Sequence, residues 1–332
     1  MLYPLSRIWN PAVYQGGART RRYFEGWYLK LVDADGQHPL ALIPGVSFSA
    51  DGSTRQAFVQ LVRPGGTGRY FAYPADAFTF TKDRFRIAVG DSRFAEDGLD
   101  VDLRDEHGGV SGSVRFGPWS PWPVRPLSPG VMGWYRFVPG MECYHGVLSM
   151  DHSLSGTLVV DGEVLSFDGG RGYVEKDWGA SFPSSWIWAQ SNRFARPGVS
   201  VSASIARVPW MNASFTGSIA GLLLDGELHR FTTYTGAKLA CLKTRPGEAD
   251  VVLRDARAEL ELHIQGAAVS ALRAPTLGSM EARADEALDA NIHVTLRTIR
   301  GGRATTVFDA EGRSAGVEIM DERGELEPAP RP

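Results

Sequence analysis

The stretch that decides the fold is Arg22-Tyr23-Phe24-Glu25-Gly26-Trp27-Tyr28-Leu29-Lys30-Leu31-Val32. Its aromatic and aliphatic content is typical of a β-strand, and a period of two places Tyr23, Glu25 and Trp27 on one face. A carboxyl group between two aromatic side chains lies in an apolar wall, where burial disfavours its charged form. The stretch therefore predicts a strand that carries a proton-holding acid.

The rest of the chain continues in short runs of period two separated by Gly, Pro, Asp and Asn. Asp-Gly dipeptides that favour two-residue hairpins lie between several of these runs, at Asp51, Asp97, Asp161 and Asp225. The pattern predicts an all-β fold with little helix. The predicted strands are 22–32, 40–49, 56–62, 77–80, 85–89, 110–116, 156–160, 186–194, 200–206, 215–224, 227–234, 250–254, 258–264 and 292–298.

Two segments depart from this pattern. Residues 279–290 are rich in Ala, Glu and Leu, so a short helix and a strand both remain open there. Residues 117–129 are rich in proline and cannot form a central strand, because proline donates no ladder hydrogen bond. We expect a long ordered loop whose tryptophans, with Trp134 just beyond, either cover a pocket as a lid or pack onto the outside of the sheet.

A faint internal repeat joins two distant parts of the chain. Tyr-x-Glu followed by Trp occurs at Tyr23 and again at Tyr173, about 150 residues later. The repeat predicts two β units, an N-terminal one over residues 1–150 and a C-terminal one over 151–332. Each is long enough to form a β-barrel of about eight strands or a β-sandwich that holds one small ligand.

The second copy of the repeat leads into a group of candidate binding residues. Tyr173-Val174-Glu175-Lys176-Asp177-Trp178 adds two acids, and the strand that follows carries indoles and amides. In that strand the even positions share one face. Two indoles and two amides in line predict an apolar wall with hydrogen-bonding groups, as a pocket for an amphipathic ligand requires. Its members are Trp186, Trp188, Gln190 and Asn192.

Composition excludes several classes of protein. Acidic residues (38) and basic residues (35) give a net charge of −3 with no basic stripe, so no nucleic-acid partner is expected. Cys143 and Cys241 lack the spacing of a zinc site and are expected to be free thiols in a reducing compartment. No apolar run is long enough to cross a bilayer. We expect a cytoplasmic protein that contacts a membrane only at its surface, where a lipid substrate would bring it.

Familiar catalytic motifs are missing from the sequence. The chain has no GxGxxG after an opening strand, no Walker motif, no GxSxG elbow and no HExxH, so no nucleotide, redox cofactor or metal is expected. The segment Glu142-Cys143-Tyr144-His145 collects an acid, a thiol, a phenol and an imidazole. Adjacent strand residues face opposite ways, so a Cys-His dyad does not follow, and a structural role is favoured.

The two acid-bearing stretches resemble a known family. Phe24-Glu25-Gly26-Trp27-Tyr28-Leu29-Lys30 is similar to the FEGWYFK motif of the tocopherol cyclase family. Glu175-Lys176-Asp177-Trp178-Gly179, with the indoles and amides after it, is similar to that family's second motif. The resemblance runs from about Pro11 to beyond Leu296. One departure is Asp177, where asparagine is expected in the plant enzymes.

The resemblance implies a tandem lipocalin-like β fold and an intramolecular cyclase that converts a prenylated benzoquinol into a chromanol. Ring closure of this kind needs a proton on the prenyl alkene, a tertiary cation shielded from water, and capture of the cation by the phenol oxygen. Glu25, Glu175 and Asp177 are the candidate acids. Tyr23, Trp27, Trp178, Trp186 and Trp188 are expected to line the pocket, with Gln190 and Asn192 orienting the phenol.

Three alternatives remain open from the sequence. Each acid could instead form a buried ion pair, with Arg21, Arg22 or Lys176 as partner, and an ion pair would disqualify it as a proton donor. The same aromatic walls would serve a non-catalytic carrier of a prenylquinone, carotenoid or other lipid. An alkene hydratase of the carotenoid hydratase type would use the same proton and capture the cation with water.

Overall fold

The computed structural model describes residues 6–66, 68–210, 213–266 and 269–326. Most of the described chain is antiparallel β-strand and very little is helix, so the predicted all-β fold is confirmed. The segment 279–290 lies within one long strand, Ser279–Arg300, and the helix alternative is wrong there. Tertiary pairing overrides helix propensity in this segment, as it often does. None of the helices in the described residues has the length and apolar character needed to cross a bilayer.

The chain divides into two compact units. Unit 1 comprises Met1–Phe182 and Ala271–Arg283, and unit 2 comprises Pro183–Ser270 and Ala284–Pro332. Residue 150, where the sequence analysis places the division between two halves, lies inside the strand Cys143–Val160. Both copies of the Tyr-x-Glu repeat belong to unit 1.

Unit 1 is built on one large sheet with the strand order β4-β3-β2-β1-β14-β12-β9-β8-β7-β6-β5, and β13 pairs with β12. Short 3-10 helices span Arg7–Trp9, Ala75–Ala77 and Gly133–Phe137. The strands are β1 Tyr23–Val32, β2 Leu40–Phe48, β3 Arg55–Val62, β4 Arg69–Pro74, β5 Phe78–Phe80, β6 Arg86–Val89, β7 Ser92–Ala95, β8 Gly98–Asp105, β9 Gly108–Phe116, β10 Val124–Arg125, β11 Ser128–Pro129, β12 Cys143–Val160, β13 Glu163–Ser166 and β14 Arg171–Gly179.

Unit 2 carries the second large sheet, ordered β19-β18-β17-β15-β25-β24-β22-β21-β20, with β16 paired to β25. The strand β23 and the start of β24 form a hairpin whose residues 271–283 belong to unit 1. One short 3-10 helix spans Thr233–Thr235. The strands are β15 Trp186–Ser191, β16 Arg193–Phe194, β17 Ser200–Trp210, β18 Ala213–Leu224, β19 Glu227–Thr232, β20 Lys238–Arg245, β21 Glu248–Arg254, β22 Ala258–Gln265, β23 Val269–Thr276, β24 Ser279–Arg300 and β25 Arg303–Met320.

The sheet of unit 1 folds over on itself around an apolar core. β3 packs against β6 and β4 against β8, while β4 and β5, at the two ends of the described order, do not pair with each other. The sandwich form of the prediction therefore fits the described residues, and a closed ring of strands does not. In unit 2 the described order ends likewise at β19 and β20 without pairing between them.

Strands of unit 1 differ in how many faces they bury. In β8, Leu99, Val101 and Leu103 are buried while Asp102 and Arg104 are exposed, the alternation of a sheet with one wet face. In β1, β2 and β14 nearly every residue on both faces is buried. The predicted acids therefore lie in the most enclosed part of the sheet.

Two predicted hairpin turns are confirmed by their backbone geometry. Asp161 and Gly162 have φ values of 52° and 87°, and Asp225 and Gly226 have 53° and 78°. Both residues of each turn are left-handed, as a two-residue type I′ hairpin requires, and asparagine, aspartate and glycine tolerate this conformation best. These turns set the registers of β12 with β13 and of β18 with β19.

The proline-rich loop is ordered by its tryptophans. Trp122 is buried, and the ring of Trp119 lies 5.9 Å from that of Phe85, within the core of unit 1. Trp134 remains exposed. Trp119 thus packs against the core of unit 1, an arrangement that neither alternative given for this loop describes. Both cysteines are free thiols, as predicted.

Candidate active site

The three predicted acids lie on opposite faces of one strand pair. β1 and β14 are antiparallel neighbours in which Glu25 is opposite Trp178 and Gly26 is opposite Asp177. Residues opposite each other share a face of the sheet. Glu25 therefore lies on one face, here called the core face, while Glu175 and Asp177 lie on the other, here called the acid face.

On the core face, Glu25 is fully buried, and hydrogen-bond donors surround its carboxylate. The backbone N–H groups of Gln15 and Gly16 donate to it at 2.8 and 3.0 Å. The phenol of Tyr23 donates to one of its oxygens, and the ammonium of Lys176 lies 2.5 Å from the other. A carboxylate surrounded in this way is an acceptor for four groups.

Lys176 is equally enclosed. Its ammonium donates to the carbonyl oxygens of Pro11 at 2.9 Å and Val13 at 2.5 Å, and it lies 4.5 Å from the ring centre of Trp27 and 4.9 Å from that of Trp178. Burial lowers the pKa of Lys176 to about 8, against the raising effect of Glu25. The ion-pair alternative with Lys176 is thus present in the structure, and it joins the N-terminal segment to β1 and β14.

The aromatic residues predicted to line a pocket with Glu25 pack around this ion pair. Trp27 is fully buried, and its indole N–H donates to the carbonyl of Ala12 at 2.9 Å. Trp178 stacks on Tyr144 with the ring centres 5.6 Å apart. Burial and the neighbouring Glu25 raise the pKa of Tyr23 well above its usual value, so its phenol stays a donor.

On the acid face, an imidazole lies between two carboxylates. His145 of β12 is opposite Asp177 in register, and its Nδ1 lies 2.9 Å from Asp177 Oδ1. Its Nε2 lies 3.8 Å from Glu175 Oε2, and the phenol of Tyr173 donates to that same oxygen at 2.5 Å. Burial alone would lower the pKa of His145, but Asp177 and then Glu175 raise it to about 9. The imidazole is therefore protonated at neutral pH.

Solvent reaches this cluster at a small opening in an otherwise buried region. Gly26 is the one residue of β1 that is not buried, and Ile43 is the one such residue of β2. In β14 only Asp177 and Arg171, at the strand's start, are not buried. A side chain at Gly26 would lie 3.6 Å from Ile43, so the exposed positions adjoin. The missing side chain of Gly26 leaves room beside Asp177.

Beyond this opening the sheet supplies an apolar wall. Gly26 is opposite Gly45 of β2, and Gly45 is opposite Phe58 of β3. The ring of Phe58 lies over Gly45, where any side chain would collide with it, and stacks on Tyr70 with the ring centres 5.3 Å apart. Neighbouring strands thus place His145, Asp177, Gly26, Gly45 and Phe58 in one row across the sheet, and the row ends at the stacked rings of Phe58 and Tyr70.

The cluster also offers the donor set of a metal site. The ligand atoms of His145, Glu175 and Asp177 lie within 4.8 Å of one another. In the structure His145 and Asp177 are joined by a direct hydrogen bond, which an ion would have to replace. We therefore describe the cluster as a hydrogen-bonded acid-imidazole pair with a second acid behind it.

The remaining predicted binding residues lie in unit 2. Trp186, Trp188, Gln190 and Asn192 are all buried. Ile187 and Ala189 point into the core of unit 2, so the even positions of β15 occupy the opposite face, as predicted. The indole of Trp186 donates to Glu318 of β25, a strand paired with β15. Their part in binding a substrate stays a prediction.

Two residues of the acid-face site, His145 and Gly26, were not predicted from the sequence to belong to it. His145 was assigned a structural role, because a lone imidazole two residues from a cysteine gives no sign that β12 will pair with β14. Gly26 was quoted within the motif without a role of its own. A glycine inside a strand often marks a close approach or an open space, and that signal could have identified it.

Fold and site together define a class of protein: an all-β protein that carries an acid-imidazole pair on one face of a sheet. The chain belongs to the tocopherol cyclase-like family, whose model matches residues 106–320. The matched region contains His145, Glu175 and Asp177 and begins after Glu25.

Individual relatives agree with this family. The chain is 26% identical over 201 residues to the chloroplastic tocopherol cyclase of Zea mays, a match that covers 56% of this chain and 41% of that protein. The probable chloroplastic tocopherol cyclase of Oryza sativa subsp. japonica is 25% identical over 205 residues, with the same shares covered. The match thus spans about two fifths of the length of these curated relatives.

A solved structure shows the likeness of fold. The crystal structure of CghA has a TM-score of 0.55 with 10% sequence identity, and the match covers 90% of this chain and 88% of that one.

Proposed function

We propose that the protein is an intramolecular cyclase that closes a prenylated benzoquinol to a chromanol, with the acid face of unit 1 as its proton source. The family supports the reaction class. The observation that carries the assignment is the position of Asp177. It is a carboxyl bonded to a protonated imidazole at the solvent-reached opening of an otherwise buried sheet region.

In the proposed reaction the imidazolium of His145 passes its Nδ1 proton to Asp177, and Asp177 delivers it to the less substituted carbon of the prenyl alkene. The alkene's π electrons form the new C–H bond, and a tertiary cation remains on the neighbouring carbon. The phenol oxygen attacks that cation to form the C–O bond of the ring. The phenol's own proton then returns through Asp177 to His145, so the reaction is an isomerisation that consumes nothing.

His145 and Glu175 prepare Asp177 for both transfers. The imidazolium of His145 donates to Oδ1 of Asp177, so at rest the transferable proton lies on the imidazole and Asp177 is placed to relay it. Glu175 helps to keep the imidazole protonated, and Tyr173 holds Glu175 in place. General acid catalysis of this kind contributes about 10²–10⁴-fold in rate.

Apolar surface next to the acid suits a prenyl chain. Ile43 and the stacked pair of Phe58 and Tyr70 lie on the same side of the sheet as Asp177. Such a wall shields a cation from water, and aromatic faces attract it. Glu25 offers none of this, because it is sealed from solvent and already accepts from Lys176, Tyr23 and two backbone amides.

Deuterium labelling tests the proposal. The purified protein is incubated in deuterated water with phytyl- and geranylgeranyl-benzoquinols. The products are separated by chromatography, and their masses are measured by mass spectrometry. We expect a chromanol with one carbon-bound deuterium. Asp177→Asn and His145→Gln should each lower its formation about 10²–10⁴-fold, whereas Glu25→Gln and the exposed control Asp102→Asn should retain turnover per folded molecule.

The outcomes separate the candidate acids. Full turnover by folded Asp177→Asn protein would overturn the assignment, and it would bring this chain closer to plant enzymes expected to have asparagine there. Loss of turnover in folded Glu25→Gln protein would move the proton source to the core face. A product heavier by one water would show that water captures the cation, as in an alkene hydratase.

A second candidate, a non-catalytic lipid carrier, is favoured by a separate feature of unit 1. A cavity of about 460 Å³ opens beside β2 and β5, in the size range of small-ligand pockets. No member of the acid-face cluster lines it. Tight binding of the quinols without a new product would support the carrier. The cavity is lined by Tyr14, Gly17, Arg19, Val46, Phe48, Arg55, Ala75, Asp76, Phe78 and Phe80.

A further inference from the structure

The proline-rich region of unit 1 exposes a group of large apolar side chains. Five of them lie on two chain segments, and we call them the aromatic patch. At its tip, Leu127 is 82% exposed in the turn between β10 and β11. Large apolar side chains rarely gather at the surface without a partner. The members of the patch are Trp9, Val124, Leu127, Trp134 and Phe137.

The patch is a built surface held by specific contacts. The rings of Trp9 and Phe137 meet edge to face at 5.9 Å, and the indole N–H of Trp9 donates to the carbonyl of Pro126 at 2.9 Å. Arg136 donates to Gln15 Oε1 at 2.7 Å, which ties the helix Gly133–Phe137 to the N-terminal segment. These contacts hold the two segments together while the apolar side chains point outward.

Charge around the patch is predominantly positive. Residues 6–24 and 107–141, which form the patch and its surroundings, contain no aspartate or glutamate in a chain with a net charge of −3. Arg125 is exposed on the hairpin next to Leu127. The nearby loop at Asp83, whose carbonyl accepts from Asn10, adds one acid between Lys82 and Arg84. The surface is therefore apolar with a positive border.

We propose that the aromatic patch docks on an anionic phospholipid surface. Protein segments that insert into the lipid headgroup region are rich in tryptophan, phenylalanine and leucine beside arginine, and the patch has this composition. A second copy of the chain fits less well, because five side chains fall far short of the roughly 20–30 residues that each partner contributes to a stable interface. The inference does not depend on the proposed function.

Vesicle binding tests the proposal. The full chain is mixed with phosphatidylcholine vesicles that contain or lack phosphatidylserine, and the bound fraction is measured by flotation. We expect binding to the anionic vesicles that weakens with salt, since surface charge attraction is screened. Leu127→Asp should lower the partition coefficient about ten-fold or more. The matched control Val164→Asp, at a 69% exposed site on β13, should leave it unchanged.

Each remaining outcome decides against the proposal. Absence of wild-type binding to either vesicle overturns it, as does an equal loss of binding in Val164→Asp. Equal binding to vesicles with and without phosphatidylserine overturns the anionic requirement. A concentration-dependent dimer in size-exclusion chromatography that Leu127→Asp abolishes would assign the patch to a second copy of the chain. Leu127 lies in an exposed turn, so its substitution leaves the core intact.

Discussion

The two copies of the Tyr-x-Glu repeat form the same local bond and end in different electrostatic states. Tyr23 donates to Glu25, and Tyr173 donates to Glu175, each across two residues on one strand face. Glu25 then meets an ammonium and two backbone amides, whereas Glu175 lies 3.8 Å from the imidazole of His145. Glu25 is therefore buried with its hydrogen-bond acceptors occupied, whereas Glu175 lies beside a titratable imidazole.

The difference shows that a short motif does not determine the role of its acid. Strand alternation explains the shared bond, because residues i and i+2 point to the same side. The remaining partners come from other elements: Lys176 from the neighbouring strand, Gln15 and Gly16 from the N-terminal segment, and His145 from β12. Function follows from these long-range partners.

The largest effect is expected from breaking the core-face ion pair. Lys176→Met leaves Glu25 as a buried charge without its partner, which costs about 3–5 kcal/mol of the free energy of unfolding. Urea denaturation followed by circular dichroism measures this loss. The control is Arg104→Met, at an exposed arginine paired with Asp102, where we expect at most about 1 kcal/mol. Similar losses in the two variants would contradict a structural role for the buried pair.

Much of the fold could be predicted from the sequence because it depends on local signals. The strand at 22–32 was found within one residue, and the Asp161-Gly162 turn followed from the left-handed conformation that these residues tolerate. The segment 279–290 was ambiguous because its helix-forming residues take part in β24, and its pairing with β23 and β25 decides this. The pairing of β1 with β14 spans about 150 residues and has no local signal.

The second effect concerns pH. The folded-state pKa of His145 is about 9 and the unfolded value about 6.5, so His145 contributes stability that is fully present below pH 6.5. That contribution, about 3 kcal/mol, is lost as pH rises through 9. Wild type and His145→Gln are unfolded in urea at pH 6 and 9. We expect the wild-type advantage to shrink between them; an unchanged difference would show that His145 is neutral at both.

Comparing wild type with His145→Gln also removes the effect of Lys176 on the pH dependence of stability. Burial lowers the folded-state pKa of Lys176 to about 8, below its unfolded value of 10.5. The unfolded chain therefore binds more protons between these values, and Lys176 favours folding increasingly as pH rises through that window. This slope opposes that of His145 and is the same in both proteins, so it cancels from their difference.

The candidate site was harder to predict than the fold for a physical reason. The catalytic roles of Glu25, Glu175 and Asp177 stay predictions. The sequence offered Lys176 only as one of three possible ion-pair partners, and it gave no sign that Glu175 and Asp177 lie beside His145. Burial, ion pairing and hydrogen bonding act on a carboxyl together, and their balance depends on a few ångströms of geometry.

A matched pair of smaller changes separates the two faces. Tyr23→Phe and Tyr173→Phe each remove a phenol that donates to a buried glutamate. Each should cost about 1–3 kcal/mol in stability, as for hydrogen bonds to charged groups. Only Tyr173→Phe should also change the pH profile of turnover, because only Glu175 adjoins His145. A shifted profile in Tyr23→Phe would show instead that the core face takes part in catalysis.

Substitution of Gly26 is expected to have the smallest effect on stability and the most selective effect on activity. A methyl group there would make ordinary contacts, 3.6 Å from Ile43 and 3.9 Å from Phe58, so Gly26→Ala should fold normally and gain up to about 1 kcal/mol from reduced chain entropy. The same methyl group would occupy the opening beside Asp177. We expect KM for the quinol to rise while thermal stability is unchanged or higher, and an unchanged KM would place substrate entry elsewhere on the molecule.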